Sequence, residues 1–539
     1  MNRYTLTALS VTGGILSGLA WTSWCSGLIL LVSFVPWFLI EEHIFRNQRR
    51  FRLNSCFVYI LPGFVIFNML TLGWVRAANI AAAITIILAL SFLMSFIMWL
   101  AHIVRVKAGN VTGLIALISF WLAFEFLSLN SVFLSPWINL GNGLAKDIHF
   151  IQWYEVTGVG GGSLWILSSN LFLSLFLANY RIPNNKSRLF LITWITIIIV
   201  PSAISFARYH TIRDTGSGET EVVIVQPNID PFTEKYTIPF ENQLSKVLGM
   251  AGSAITGKTT WLLTPETTVD DPVNEDDTKN NQYIKSMREF SLHYPGINIV
   301  AGLVSFRLYP DTGEPPTSSA RRIDSTGLYY DHFNSAFQID TGEIVHIYHK
   351  SKLVAGIEMQ FSAVFGKLVN SILPDMGGTK WGYGTQKERI CFVHPVTKQS
   401  IAPIICYESV FGNYVADYVR KGASALFIIT NDGWWKNTGG YNHHLSYASL
   451  RAIETRRPVA RAANTGVSCI IDIRGKRIQE TEWWTEAVLT GNIGSGTVIT
   501  PYVRYGDYLM KIATVTSILI LVYVFISLPY RKKLMIFAK

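Results

Sequence analysis

The sequence predicts a bundle of eight membrane-spanning helices joined to one large α/β domain. Of its 539 residues, 50% are hydrophobic and 15% are charged, whereas roughly a quarter of the residues of a typical soluble protein are charged. Several apolar stretches have about the 20 residues that cross a bilayer as a helix. A long polar stretch, residues 207–507, contains short β-branched runs bounded by turn residues, which are typical of strands. These observations indicate a membrane protein with one folded domain outside the bilayer.

Eight apolar stretches are the candidate spans. They are residues 4–24, 26–40, 56–75, 77–104, 111–129, 163–180, 189–206 and 508–528. The first follows Arg3 as the apolar part of a signal peptide would, but further spans come after it, so we expect a retained helix. The predicted organisation is a seven-helix region (1–206), an aqueous domain (207–507) and a last helix with a basic tail (508–539).

The positions of Lys and Arg predict the topology. They follow the even-numbered spans, as Arg46, Arg49, Arg50 and Arg52, then Arg105 and Lys107, then Arg181, Lys186 and Arg188, and finally Arg531, Lys532, Lys533 and Lys539. The opposite short loops contain only Arg76 and Lys146. Because cytoplasmic loops are enriched in Lys and Arg, both termini are predicted to be cytoplasmic and the domain extracytoplasmic. These loops also account for the formal net charge of +10, so we expect no nucleic-acid partner.

The polar domain alternates strand-like and helix-like stretches. The strand-like runs are EVVIVQPN, TTWLLTPE, INIVAGLVSF, SIAPIICYE and ALFIITND, and the helix-like stretches are residues 233–250, 277–293 and 441–456. Nearly continuous apolar strands that alternate with helices favour a sheet buried on both faces.

Three of these strands end at a chemically useful residue. TTWLLTPE ends at Glu266, IVHIYHK at Lys350 and IAPIIC at Cys406. Reactive groups gather where the strands of an α/β sheet end. A thiol with a pKa near 8.5 is mostly protonated at neutral pH, so a nucleophilic Cys406 needs help. Glu266 can accept the thiol proton and Lys350 can stabilise a thiolate or an oxyanion. A structural Glu266–Lys350 ion pair beside a buried thiol fits the spacing equally well.

Four motifs together resemble the signature of the nitrilase, or carbon–nitrogen hydrolase, superfamily. They are LTPE, YHKSKLV, ICYE and TNDGWW, and SPWINLGN, VQPNI, NTGVSCIID and RAIETRRP also look familial. The resemblance implies an αββα sandwich with Glu266 as general base, Lys350 as the stabiliser of thiolate and oxyanion, and Cys406 as the acyl-bearing nucleophile. The arrangement of seven spans before the domain and one after it resembles that of the membrane-embedded acyltransferase branch of the superfamily.

The resemblance also implies supporting residues. Glu358 matches a second glutamate near the triad, Tyr407 and Glu408 follow the nucleophile as in the family, and Asn334 and Trp434 match positions close to the site. The loop before Glu358 departs from the family pattern, because Leu-Val-Pro-Phe-Gly-Glu is replaced here by LVAGIE. The placement of Glu358 is therefore the expectation most open to correction.

Other residues are assigned plainer roles. The segment 359–369 is either a flap that dips into the bilayer or a stretch packed on the domain. Cys391 and Cys469 are expected to be inert core thiols. The adjacent pair His443 and His444 lacks ligand spacing, so we expect no metal and no cofactor. Glu125, within the fifth span, is a functional candidate by default, although an interfacial role is favoured.

The implied reaction is acyl transfer at a membrane. A phospholipid would donate an acyl chain to Cys406, and the free amine of a diacylglyceryl-modified N-terminal cysteine on a lipoprotein would accept it. The residues alone support only acyl transfer or hydrolysis at a carbonyl. Two alternatives remain, a membrane-tethered amidase or nitrilase that uses water as acceptor, and a transporter or assembly protein whose domain only binds. The expected location is the bacterial inner membrane, with the domain on its periplasmic side.

Overall fold

The computed structural model describes residues 1–131, 134–180, 185–213, 220–342, 344–355, 357–359 and 382–527. The chain divides into two compact units. One contains Met1–Arg76, Ile80–Thr211 and the described part of Tyr505–Lys539, and the other contains Ala77–Asn79 and Ile212–Arg504.

The helices belong to both units. They are α1 (Arg3–Leu19), α2 (Leu30–Ser33), α3 (Val35–Arg46), α4 (Ser55–Leu72), α5 (Ile80–Ala108), α6 (Asn110–Asn130), α7 (Tyr154–Asn179), α8 (Asn185–Thr211), α9 (Phe240–Gly252), α10 (Gln282–His293), α11 (Gly412–Arg420), α12 (Gly439–Thr455), α13 (Pro501–Tyr505) and α14 (Tyr508–Val522). Seven helical segments among the described residues are long and apolar enough to span a membrane. With α1, a shorter apolar helix of 17 residues, they confirm the prediction of an α-helical membrane bundle.

The sixth span begins earlier than the sequence pattern suggests. Helix α7 starts at Tyr154 and runs through the glycine-rich GVGGGS stretch, with a kink at Gly158, whose φ is 61°. Glycine adopts this left-handed conformation without steric cost. Gly162 of this stretch also allows close approach of a neighbouring segment, since a β-carbon there would lie 3.0 Å from Cα of Gly141 and 1.7 Å from the hydroxyl of Tyr154. Backbone packing therefore explains the glycines, and the stretch is part of a helix.

Glu125 is buried inside the first unit, contrary to the interfacial position predicted for it. Its side chain lies in α6 and is 1% exposed. The Oε1 atom accepts hydrogen bonds from the backbone N–H of Leu140 at 2.7 Å and from the indole of Trp121 at 3.1 Å. Because a polar group within a bundle must find its partners inside the protein, Glu125 holds the loop around Leu140 against α6.

The strands form two sheets in the second unit. They are β1 (Thr220–Gln226), β2 (Thr259–Leu263), β3 (Val269–Asn274), β4 (Asn298–Tyr309), β5 (Arg321–Arg322), β6 (Tyr329–Ile339), β7 (His346–His349), β8 (Phe392–Val393), β9 (Ser400–Ile405), β10 (Ala425–Thr430), β11 (Val459–Ala463), β12 (Cys469–Ile471), β13 (Arg477–Glu480) and β14 (Ala487–Ile493). One sheet has the order β14-β1-β2-β4-β6-β5, with β3 beside β4 and β7 beside β6. The other has the order β13-β12-β11-β10-β9-β8.

The two sheets pack face to face between two layers of helices. Trp261 of β2 meets Phe427 of β10 edge-on, with ring centroids 5.4 Å apart. On the first sheet, α9 and α10 bury Val247, Ile284 and Met287 against the strands. On the second sheet, α11 packs against β9, and α12 packs against β11 and β12. The predicted αββα sandwich is confirmed.

Two predicted helices start later than expected. The stretch predicted from residue 233 becomes helical only at Phe240, after Pro239, whose backbone is extended and whose ring disfavours a helical residue before it. The stretch predicted from residue 277 starts at Gln282, because the side chain of Asn281 caps the N–H groups of Tyr283 and Ile284. In both cases the residue at the N-cap position sets a later start for the helix than the helical pattern predicts.

Candidate active site

Strand ends bring three reactive side chains into one region. Cys406 directly follows β9 of the six-stranded sheet and Lys350 directly follows β7 of the eight-stranded sheet, while Glu266 lies three residues beyond β2. The ends of strands in an α/β sheet gather side chains in this way. Glu266 and Lys350 are 84 residues apart in sequence and are brought together within the eight-stranded sheet, where β4 and β6 connect β2 to β7.

Glu266 and Lys350 form a buried ion pair. The Lys350 Nζ lies 2.9 Å from Oε1 of Glu266, and the two residues are 1% and 6% exposed. The Nδ2 of Asn334 donates to the same Oε1 at 2.8 Å. The backbone N–H of Asn431 donates to Oε2 at 3.1 Å. Both oxygens of Glu266 are thus held in a fixed orientation.

Glu358 reaches the same lysine despite its altered loop. Its Oε1 lies 2.8 Å from Lys350 Nζ and 3.2 Å from Asn334 Nδ2. Its Oε2 accepts the backbone N–H of Val354 at 2.8 Å, and its own N–H donates to Val354 O at 2.9 Å. This one-turn loop supplies the geometry without the family's Pro-Phe-Gly sequence. Lys350 therefore lies between two carboxylates.

Cys406 sits in a strained backbone position beside this group. Its φ is 51°, a left-handed conformation that non-glycine residues rarely adopt and that is common at functional sites. The residue is partly exposed and lines the same cavity as Glu266 and Lys350.

Burial and charge set the protonation of these groups. Burial raises the pKa of the Cys406 thiol far above its ordinary value, the charge of Glu266 adds to this shift, and Lys350 opposes it. Burial also acts to raise the pKa of Glu266, but the charge and hydrogen bonds of its neighbours, Lys350 first, outweigh it and hold the pKa below its ordinary value. Burial acts to lower the pKa of Lys350, and the carboxylates of Glu266 and Glu358 overcome this and raise it. The resting site combines a neutral thiol, an ionised carboxylate and an ammonium.

The site opens into a cavity of about 480 Å³, within the usual size range of small-molecule sites. Its charged lining consists of Glu266, Glu358, Asp270, Lys350 and Lys235. Its aromatic lining consists of Phe232, Tyr236, Tyr383, Trp434 and Trp435. Two ammonium groups and three carboxylates leave the lining with one net negative charge. The aromatic rings supply a largely apolar wall beside the thiol.

Two aromatic residues of this wall are strongly exposed. Phe232 and Tyr236 are 49% and 59% exposed, and Phe232 meets Trp434 edge-on at 5.4 Å. Lys235, between them in sequence, is buried and hydrogen-bonds Thr267, with its Nζ 3.5 Å from Asp270. Exposed aromatic rings therefore border the cavity. Its second ammonium group, that of Lys235, is paired with Asp270.

Tyr407 and Glu408 do not line the cavity. Glu408 is fully buried and its carboxylate accepts hydrogen bonds from Tyr348, Tyr414 and two backbone N–H groups, those of Ser351 and Ile405. It thereby ties the turn after Cys406 to the segment that carries Lys350. The Tyr407 ring packs against Phe411, with centroids 5.1 Å apart.

Several residues of the site were not predicted. Lys235, Asp270 and Tyr383 line the cavity, and Asp432, Arg461 and His444 form a buried network beneath Cys406. Asp432 lies within the TNDGWW motif, and Arg461 lies in β11 just after the RAIETRRP motif. The available signal was Arg461, a charged residue within an apolar strand. The predicted flap, residues 359–369, lies outside the described residues except for Met359.

Comparison with known proteins identifies the class. Residues 295–500 match the family model of the carbon–nitrogen hydrolases, and residues 13–172 match that of the apolipoprotein N-acyltransferase N-terminal domain. The structure of Nit3 from Saccharomyces cerevisiae, a member of branch 10 of the nitrilase superfamily, overlaps 53% of this chain and 93% of that chain with a TM-score of 0.36 and 14% identity. The chain thus combines helices long and apolar enough to span a membrane with a domain that matches the carbon–nitrogen hydrolases.

Whole-length relatives define the family more narrowly. Apolipoprotein N-acyltransferase from Chlorobaculum tepidum is 28% identical over 93% of this chain and 92% of its own length. The protein of that name from Haemophilus influenzae is 22% identical over 94% of this chain and 92% of its own. These matches support an apolipoprotein N-acyltransferase.

Proposed function

We propose that this acyltransferase moves an acyl chain from a phospholipid to the N-terminal amine of a diacylglyceryl-cysteine lipoprotein, with Cys406 as the acyl carrier. The observation that carries the proposal is the hydrogen-bonded Glu266–Lys350 pair beside the Cys406 thiol in one cavity. A structural ion pair would not need a strained, partly exposed cysteine against it. The catalytic domain comprises residues 207–507, with seven helices before it and one after.

In the first half-reaction Glu266 is the general base. It takes the thiol proton while the sulfur attacks the ester carbonyl carbon of the phospholipid and forms the C–S bond. The oxyanion of the tetrahedral intermediate is stabilised by the Lys350 ammonium and by the backbone N–H of Tyr407. The C–O bond then breaks, and Glu266 returns its proton to the leaving oxygen. The products are a Cys406 thioester and a lysophospholipid.

In the second half-reaction the lipoprotein amine attacks the thioester. Glu266 takes a proton from the attacking nitrogen, the C–N bond forms, and the C–S bond breaks to give the amide. The released thiolate regains the proton from Glu266. One nucleophile serves both substrates in turn, which is a ping-pong scheme.

Glu358 and Asn334 hold the catalytic groups in place. Both contact Lys350 or Glu266 directly, and neither needs to touch the reacting carbon. Trp434, in the aromatic wall, packs against the acyl chain. Glu408 acts indirectly, through the backbone of the turn that carries Cys406.

The charge of the cavity favours a particular kind of donor. Its lining carries one net negative charge, which repels an anionic headgroup and attracts an ammonium at short range. A zwitterionic donor such as phosphatidylethanolamine fits this field, and so does the protonated amine of the acceptor. The alternative of a membrane-tethered amidase is not favoured, because a water-soluble amide needs neither the seven spans nor the exposed rings at the cavity.

A mass measurement tests the proposal. Purified protein is incubated with phosphatidylethanolamine in detergent, and the intact mass and the Cys406 peptide are measured. We expect one acyl adduct that hydroxylamine removes, that is lost in Cys406→Ala and that persists in the matched control Cys391→Ala. Addition of a diacylglyceryl-cysteine peptide should discharge the adduct as an amide. Free fatty acid without amide would support the hydrolase alternative, and no adduct at all would leave a binding domain.

A further inference from the structure

A buried ionic network lies beneath Cys406 and takes no direct part in the proposed reaction. Asp432, His444 and Arg461 are each 0–1% exposed. Oδ1 of Asp432 lies 2.9 Å from Nδ1 of His444, and Oδ2 lies 2.6 Å from Nη2 of Arg461. Such a network is costly to bury unless every member is paired. Its arrangement therefore needs an explanation beyond packing.

The other side of the imidazole faces the backbone of the nucleophile. Nε2 of His444 lies 3.0 Å from the carbonyl oxygen of Cys406 and 2.9 Å from Oγ of Ser409. Ser409 Oγ donates to the same carbonyl oxygen at 2.8 Å. The carbonyl of Cys406 is thus held from two sides, although the residue has a strained φ of 51°.

The contacts decide which ring atoms of His444 carry protons. A carbonyl oxygen only accepts, so the Nε2 that faces Cys406 O is a donor. Burial acts to raise the pKa of Asp432, but the charges of Arg461 and His444 outweigh it and hold that pKa well below its ordinary value. Nδ1 faces the Asp432 carboxylate at 2.9 Å and Nη2 of Arg461 at 3.3 Å. The ring links the Asp432–Arg461 pair to the Cys406 carbonyl.

Peptide geometry transmits this contact to the reacting atoms. The carbonyl of Cys406 and the N–H of Tyr407 belong to one peptide group, which is planar and trans, so the two point in opposite directions. Fixing the carbonyl toward His444 fixes the N–H toward the opposite side. A hydrogen bond to the carbonyl also polarises the amide and strengthens its N–H as a donor.

We propose that His444 is a positioning residue for the oxyanion site, and that Asp432 and Arg461 hold it in its donating orientation. Its contact with the Cys406 carbonyl aims and polarises the Tyr407 N–H, which then stabilises the oxyanion formed on acylation. This inference rests on the proposed acyl transfer and adds a residue to it.

Two reactions of the same thiol test the proposal. Alkylation of Cys406 by iodoacetamide is a substitution at a saturated carbon and forms no oxyanion. Acylation by p-nitrophenyl palmitate in detergent micelles passes through a tetrahedral oxyanion. Both rates are measured on the full-length protein, the first by mass spectrometry of the Cys406 peptide and the second from the burst of p-nitrophenolate. The ratio of the acylation rate to the alkylation rate therefore reports the contribution of the oxyanion site.

Three variants separate the contacts. The amide nitrogen of His444→Gln reaches roughly the position of Nε2 and keeps a donor to the Cys406 carbonyl, whereas His444→Asn reaches only the position of Nδ1. We expect the ratio of acylation to alkylation to fall about 10- to 100-fold in His444→Asn, a part of what loss of an oxyanion donor costs. His444→Gln should recover most of it. The neighbouring His443→Gln, a matched control on the same helix, should leave the ratio unchanged.

The outcomes are distinct from those of the proposed function. Equal losses of both rates in His444→Asn and His444→Gln would mean a purely structural role and overturn the inference. An unchanged ratio in His444→Asn would also overturn it. A wild-type protein that is alkylated but gives no p-nitrophenolate burst would instead overturn the acyl transfer itself.

Discussion

Cys406 keeps its proton because it is buried beside a carboxylate, and that carboxylate is held ionised because it is paired with Lys350. The two opposite pKa shifts describe one arrangement, an ionised carboxylate beside a neutral thiol. In the proposed mechanism proton transfer and attack occur together, so no free thiolate accumulates. A free thiolate is more readily oxidised and alkylated than a thiol.

This arrangement predicts an unusual pH profile for the thiol. A free cysteine titrates near pH 8.5, so its alkylation rate rises about tenfold per pH unit below that value. The lowered pKa of Glu266 keeps this carboxylate ionised from pH 6 to 9, while the raised pKa of Cys406 keeps the thiol protonated. We therefore expect a nearly flat rate of iodoacetamide alkylation over this range, measured on the Cys406 peptide.

A matched variant completes the pH experiment. Glu266→Gln keeps the hydrogen-bonding shape but removes the base, so alkylation should become slow and rise with pH. A wild-type rate that climbs steeply between pH 6 and 8 would show that Glu266 does not control the thiol.

The triad was visible in the sequence for a physical reason. Glu266, Lys350 and Cys406 each follow an apolar strand, and strand ends are a feature that a one-dimensional pattern records. The partners of Glu408 and the network around His444 were not visible, because most of their contacts join residues 12 to 60 positions apart. Polar side chains within buried elements carry no local signal of the partner they will meet.

At the scale of elements, the approach of β4 to the end of β2 positions the base. Gly302 in β4 donates its N–H to the Pro265 carbonyl at 3.2 Å and accepts the N–H of Thr268 at 2.7 Å. A β-carbon at Gly302 would lie 2.4 Å from the Pro265 oxygen and 2.6 Å from Cα of Glu266. The absence of a side chain here allows the turn that carries Glu266 to rest on the strand.

This contact predicts that Gly302→Ala displaces Glu266. Overpacking of this kind costs about 1–3 kcal/mol of stability, and the backbone of Glu266 has to yield. We expect a lower rate of acyl-adduct formation together with a lower midpoint of thermal unfolding. Gly249→Ala in α9, where a β-carbon meets nothing within 4 Å, is the control and should be neutral or slightly stabilising. Unchanged adduct formation in Gly302→Ala would contradict this account of the turn.

Element boundaries were predicted unevenly. The five strand-like runs named from the sequence coincide with β1, β2, β4, β9 and β10, because β-branched runs between turn residues are short and sharply bounded. Helices α9 and α10 begin later than predicted because Pro239 and Asn281, within a longer helical pattern, are the N-cap residues that set their starts. Helix α7 started early because packing against its neighbours stabilises a glycine-rich turn that propensity alone disfavours.

At the scale of the whole molecule, the basic loops predict the orientation in the membrane. A membrane-impermeant maleimide applied to spheroplasts should label Lys279→Cys, an exposed position in the domain, and leave Arg49→Cys unlabelled until the membrane is permeabilised. The background replaces the three partly exposed cysteines, Cys25, Cys391 and Cys406, so that the label reports the introduced thiol. Labelling of Arg49→Cys in intact spheroplasts would reverse the proposed topology.

The apolar helices and the sandwich were predictable because hydropathy and strand alternation are properties of the whole chain rather than of single contacts. The cavity was not predictable, since its lining comes from Ala78 and from segments scattered between residues 231 and 435. The net negative charge of the cavity became apparent only in the structure, which pairs Lys235 with Asp270 and Lys350 with two glutamates.

If acyl transfer proceeds through a Cys406 thioester, as proposed, the surplus carboxylate around Lys350 matters when water hydrolyses that thioester. The product of that side reaction is a long-chain fatty acid, which is anionic at neutral pH and has the same tail as the acyl group. A neutral or positive site would retain it as an inhibitor. With one lysine between two glutamates, its head group is repelled from the place where its chain would otherwise fit, so an occasional wasted turnover leaves the enzyme free for its next substrate.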